Sequence, residues 1–258
     1  MLYFFETLQS KNAVLALFGY SCLAGALLCI ILAFTTTVQV NNINAFIKPT
    51  KFFLSVAIYS FTMGWYCSYL PDFNTGSFNL AVVIFLGFEV VYIVIQAARG
   101  MLSHYNISSK FYSFMYMLMA FAATAVTLYT AYVGILFFVN TFPQLPAYYV
   151  WAIRLSIMLF VVFSLEGFVM GSRLSHTIGG PDGSKGIWFL NWSKTLGDAR
   201  VAHFIGMHAL QVIPLLAYYV FKNTMITVIL SLLYACLATY TLLQALKGKP
   251  FMNFSNKK

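Results

Sequence analysis

The sequence predicts an all-α membrane protein, a polytopic bundle of seven transmembrane helices, and three observations lead there. The chain of 258 residues is 61% hydrophobic and 8% charged, whereas a soluble domain carries about 25% charged residues. Seven apolar stretches are long enough for a bilayer crossing, which takes roughly 20 residues. Basic residues fall overwhelmingly on one side of the topology that those stretches define.

Backbone amides in hydrocarbon must be bonded within their own segment, so each stretch is read as a helix. The first, 13–35, follows a segment with Glu6 and no basic residue before Lys11. No small-residue cleavage site follows, so this helix is expected to stay in the mature chain. The second, 47–70, opens with Lys48, Pro49 and Lys51; the third covers 78–101 and the fourth 109–139. The fifth, 146–171, carries Arg154 and Glu166. The sixth, 199–220, is preceded by Asp198, a residue type that caps helices by accepting a backbone amide, here from Arg200 or Val201. Pro214 withdraws one amide from that helix and predicts a kink. The seventh is 223–247.

The connections at 71–77, 140–145 and 222–223 are short. The long one, 172–197, contains a turn cluster at Gly179, Gly180, Pro181, Asp182 and Gly183, with Trp188 and Trp192 suited to the headgroup level. It reads as an interfacial or re-entrant connector ahead of a substrate lid. No linker interrupts the chain, so 1–258 is expected to form a single transmembrane domain.

One side of this topology collects Lys48, Lys51, Arg99, Lys110, Arg173, Lys185, Lys194, Arg200, Lys247, Lys249, Lys257 and Lys258, and the other holds Lys11 and Lys222. The positive-inside rule then puts the C-terminus in the cytoplasm and the N-terminus outside. The net charge of +9 is read as this topology signal and as contact with anionic lipid headgroups, not as nucleic-acid binding. Cys22, Cys29, Cys67 and Cys236 lack paired metal spacing and read as packing residues.

A helix in lipid hides polar side chains against other helices or a wet cavity. At about 100° per residue, the second span aligns Lys48, Lys51, Ser55, Tyr59, Thr62 and Tyr66. The third aligns Glu89, Tyr92, Gln96 and Arg99, and the sixth Arg200, His203, Met207, His208 and Gln211. His104 and His176 lie just past the ends of the third and fifth spans. His203 and His208 stand about 140° apart around their helix, so each needs a partner from another helix to hold a metal. The depths of Glu89 and Arg154 permit an ion pair.

Three functions follow from these seams. A cofactor protein would hold a b-type haem or a transition metal with His203, His208, His104 and His176, beside Arg200, Gln211, Arg99 and Lys51. His208 and His203 are its candidate metal ligands, and His208 its expected heart. A carrier or channel for a small anion or proton-coupled solute would use Glu89, Gln96, Arg154 and Glu166 as its polar pathway. An enzyme acting on a lipid or isoprenoid headgroup would pair Asp198 with a histidine as acid and base. A non-catalytic subunit with a protein partner in the membrane is the remaining class. The cofactor reading leads by a narrow margin. No P-loop, GxSxG, HExxH or CxxCH motif occurs, and the seventh span has no lysine for a retinal Schiff base.

The segments Asn191-Trp-Ser, Gly197-Asp-Ala-Arg and His203-Phe-Ile-Gly-Met-His-Ala-Leu-Gln resemble a pattern in uncharacterised bacterial membrane proteins. Ile47-Lys-Pro-Thr-Lys-Phe and Gln96-Ala-Ala-Arg-Gly-Met-Leu-Ser-His-Tyr-Asn are similar to parts of the same group. The resemblance covers most of the chain. It implies a bacterial inner-membrane location and no particular activity.

Overall fold

A computed structural model describes residues 2–183 and 186–252. Lys185, Lys257 and Lys258, three of the charges counted above, lie outside the described residues. Contacts divide the chain into two compact units that meet in sequence between Tyr129 and Thr130.

The first unit begins with α1 (Leu2–Lys11) and α2 (Ala13–Thr35). The Asn12 carboxamide between them accepts the Leu15 amide at 3.1 Å, the N-cap that sets where α2 starts. A two-residue hairpin follows, β1 (Gln39–Val40) against β2 (Ile43–Asn44). Its turn residues Asn41 and Asn42 have φ of 53° and 61°, the left-handed pair that a type I′ hairpin requires and asparagine tolerates. Then come α3 (Ile47–Cys67), α4 (Thr75–Ala98) and the start of the 30-residue α5 (Lys110–Val139), which runs on past Tyr129. Asn74 caps α4 by accepting the Ser77 amide. α2 and α3 pack antiparallel by a notch device. A side chain at Gly19 would meet the ring of Phe61, and one at Gly25 the ring of Phe53.

The second unit holds α6 (Ala147–Leu165), α7 (Gly167–Arg173), α8 (Arg200–Leu216) and α9 (Thr224–Leu246). α6 and α8 also run antiparallel, with Ala152, Ala209, Ile213 and Ala217 in one buried cluster. Here the notch is Gly206 of α8, where a Cβ would strike Phe163 of α6. α8 passes through Pro214 and widens into a π-helical turn at Ala217–Phe221, ended by Lys222 at φ 47°. α8 is continuous through Pro214 to Leu216, and the π-helical turn begins three residues beyond the proline. The connection from α7 to α8 forms four two-residue strands: β3 (Thr177–Ile178), β4 (Gly186–Ile187), β5 (Trp192–Ser193) and β6 (Gly197–Asp198). β3 pairs with β6, and β4 with β5. Gly197 lies against the Ala245 carbonyl of α9, an approach that no side chain would permit. Trp188 is exposed, but Trp192 is buried, edge-on to Phe204 and Phe251.

Six helical stretches are long and apolar enough to cross a membrane, among the described residues: 13–35, 75–98, 110–139, 147–173, 200–221 and 224–246. The expected span that is not among these six is the second, 47–70, which coincides with α3. Its 21 residues suffice in length, but Lys48, Lys51, Ser55, Ser60 and Thr62 lower its hydropathy. Large apolar side chains such as Leu17, Leu27, Phe34, Phe121 and Leu233 stand exposed, a surface suited to lipid and costly in water.

Candidate functional site

The notch at Gly206 places the chemistry of the second unit. Because Phe163 seats there, the antiparallel helices bring Glu166, three residues further along α6, opposite His203, three residues back along α8. Glu166 occupies the one-residue break between α6 and α7, and its side chain is 4% exposed. His203 Nδ1 stands 3.4 Å from Glu166 Oε2 without forming a hydrogen bond. Both Glu166 oxygens and His203 Nδ1 are buried without a hydrogen-bond partner among the described residues, as is Ser164 Oγ. Gly167 makes room for the imidazole, since a Cβ there would lie 3.3 Å from His203 Cε1.

The other polar residues of this unit are engaged in structural contacts. His208 Nδ1 is 3.3 Å from Gln211 Oε1, and its ring packs on Phe204 at 4.2 Å between centroids. Asp198 accepts the Arg200 amide at 3.1 Å, as expected of a residue at this helix start. It also accepts the Ser193 amide and two bonds from the Arg200 guanidinium, which reaches on to the Asn191 carbonyl. Arg154 donates to the carbonyls of Phe137 and Asn140, and its guanidinium lies between the rings of Phe138 and Trp151. That is a cation at the carbonyl end of α5, favoured by the helix dipole. In the connection, Asp182 takes the Ser175 hydroxyl, the Thr177 amide and His176 Nδ1 at 3.1 Å. Burial alone would push the Asp182 carboxyl up. The Thr177 hydroxyl, His176 and Ser175 outweigh it and hold the carboxyl below the ordinary aspartate range.

The first unit holds Lys51, Glu89, Gln96, Arg99 and His104. Glu89 is buried, and the charge of Lys48 acts on it. Glu89 and Arg154, expected as an ion pair, each have an electrostatic partner within their own unit. Gln96 is fully buried and donates to the Tyr92 hydroxyl at 2.7 Å, while its Oε1 has no partner among the described residues. Arg99 is exposed and donates to the Tyr112 hydroxyl. Lys48 Nζ lies 3.1 Å from His104 Nδ1.

The eight candidate cofactor residues therefore divide, with Lys51, Arg99 and His104 in the first unit and His176, Arg200, His203, His208 and Gln211 in the second. Within the second, His203 faces Glu166 and His208 faces Gln211. No three His, Cys, Asp or Glu side chains converge on a metal-sized site among the described residues. The Glu166–His203 encounter was not predicted. Glu166 sits at a span end, and spacing within one helix cannot say which side chain of another it meets. No protein-family model, curated protein or solved structure matches the chain.

Proposed function

We propose that this chain is a multi-pass inner-membrane carrier or channel whose activity is linked to protonation at Glu166 and His203. In this reading all seven long helices, α3 included, cross the bilayer as one transmembrane domain. The N-terminus lies outside, the C-terminus is cytoplasmic, and basic residues meet anionic headgroups. The observation that carries the reading is the buried Glu166 carboxyl, without a hydrogen bond, 3.4 Å from an imidazole. An ionised carboxylate in that position is costly, and an intramembrane acid facing a histidine is the arrangement by which pumps and transporters take up and release protons. A proton held by either partner offsets that cost, so the pair can alternate between a neutral and an ion-paired form.

The competing readings have less support. His208 and His203 as metal ligands have no third His, Cys, Asp or Glu converging with them among the described residues. Asp198 as an acid or base is fully occupied by four bonds that tie β5 and α8 together. The test is infrared titration of the full chain in bilayers. We expect a protonated-carboxyl band that changes with pH, disappears in Glu166→Gln and shifts in His203→Asn. A titrating band untouched by both substitutions would overturn the assignment.

A further inference from the structure

We infer that the hairpin of β4 and β5 is a docking surface for anionic phospholipid headgroups, with Trp188 as the side chain that enters the headgroup layer. The strands pair Gly186 with Ser193 and Ile187 with Trp192, which leaves Trp188–Asn191 as the turn. Asn191, at φ 56°, closes it by donating its amide to the carbonyls of Ile187 at 2.7 Å and Trp188 at 3.2 Å. Trp188 at the tip is 90% exposed. The exposed ring is nevertheless firmly held. Asp198 accepts the Ser193 amide, and Trp192 is covered by Phe204 and Phe251. The Arg200 guanidinium donates to the Asn191 carbonyl at 2.6 Å, and Arg200 is the first residue of the apolar stretch 200–221. The turn therefore stands within one arginine side chain of the point where α8 enters the bilayer. An indole has an apolar body and a single N–H donor, the combination that suits the boundary between acyl chains and water.

Charge decides between lipid and protein as the occupant. Lys194, Lys247 and Lys249 are exposed. The last two belong to a segment that packs on this connection, since Gly248 abuts Gly197 and Phe251 covers Trp192. The acids of the connection, Asp182 and Asp198, are taken up by hydrogen bonds within it and with Arg200. No acid follows Asp198 in the chain. A surface of this kind attracts anionic headgroups, whereas a second copy of the chain would bring like charges face to face.

This inference rests on the reading of α8 as a crossing helix and on no part of the Glu166–His203 assignment. Its test is tryptophan fluorescence of the full chain in lipid nanodiscs, with the difference between the chain and Trp188→Phe taken as the Trp188 emission. In phosphatidylglycerol discs that emission should be blue-shifted, lose most of its intensity to a headgroup-nitroxide lipid, and resist aqueous acrylamide. Nitroxide quenching should weaken in phosphatidylcholine discs. The gap between the two lipids should close in the triple variant Lys194→Gln, Lys247→Gln, Lys249→Gln. A Trp188 open to acrylamide in both lipids would overturn the docking surface. One shielded from acrylamide and nitroxide alike would overturn it in favour of a protein partner, and equal quenching of the unaltered chain in the two lipids would overturn the anionic preference. Leu215 is 55% exposed on α8, and Leu215→Trp in the Trp188→Phe chain reads the crossing itself. Its quenching by acyl-brominated lipid keeps α8 in the bilayer whatever Trp188 reports, so the two failures are distinguishable.

Discussion

The two units pack their central helices alike and answer their buried acids differently. In the first, rings from α3 enter glycine notches in α2; in the second, a ring from α6 enters a glycine notch in α8. Each unit buries one glutamate in a long helix or at its end, Glu89 in the first and Glu166 in the second. Glu89 lies in the field of a lysine, a group that stays charged across the physiological range. Glu166 instead faces an imidazole, His203 Nδ1 at 3.4 Å. The same packing device thus accompanies a lysine acting on the buried acid in one unit and an imidazole beside it in the other.

Exchanging the bases is the strongest way to break that contrast. His203→Lys should give Glu166 a permanent counter-ion and abolish the pH response of its carboxyl band altogether, while the chain still folds. Infrared titration reads this directly, and a band that still responds would show that the histidine is not the titrating partner.

The notches themselves come next. Gly206→Ala would put a methyl against Cβ and Cγ of Phe163, the inflexible root of that side chain, and should cost about 3 kcal/mol. Gly19→Ala would meet only the outer edge of the Phe61 ring, which can swing, and should cost nearer 1 kcal/mol. Thermal unfolding in detergent should rank them so. An equal loss would mean that the units do not differ in how tightly their notches are filled.

A comparable effect is expected at the start of α2. Asn12 and Asn79 exchange two hydrogen bonds, at 2.9 and 3.0 Å, both side chains being buried. Asn79→Ala leaves the Asn12 carboxamide half-satisfied and should destabilise by about 2 kcal/mol, measurable in the same unfolding experiment.

Helix positions were legible in the sequence because apolar runs are local signals. Spans expected to start at 13, 47, 199 and 223 begin at Ala13, Ile47, Arg200 and Thr224. The strands between α7 and α8 were not legible, since two-residue strands carry no period and depend on pairing across an intervening loop. The break at Glu166 was missed because no proline marks it. His208 was ranked above His203 for its depth, yet His203 is the one that meets an acid from outside its helix, Glu166, while His208 contacts Gln211 and Phe204 of its own helix. The burial of Trp192 against Phe204 and Phe251 was not legible either, since these aromatic neighbours lie 12 and 59 residues further along the chain.

The smallest effect concerns acid. Asp182 has its folded-state affinity for a proton lowered. The stability it contributes is therefore present above the ordinary aspartate value and lost as pH falls through the folded one. Hydrogen exchange at the Thr177 amide, which donates to Asp182, should quicken over that acidic window. Asp182→Asn should quicken it at neutral pH and leave little further acid dependence.

The length of α5 has a mechanical consequence. Thirty residues at 1.5 Å each span about 45 Å, against a hydrocarbon thickness of about 30 Å. Once α5 crosses the bilayer, the surplus must be absorbed by tilt, by projection into the headgroups or by local thickening of the lipid. Acyl-chain length therefore becomes a control variable: thinner bilayers should lean this helix further, and thicker ones should draw it upright.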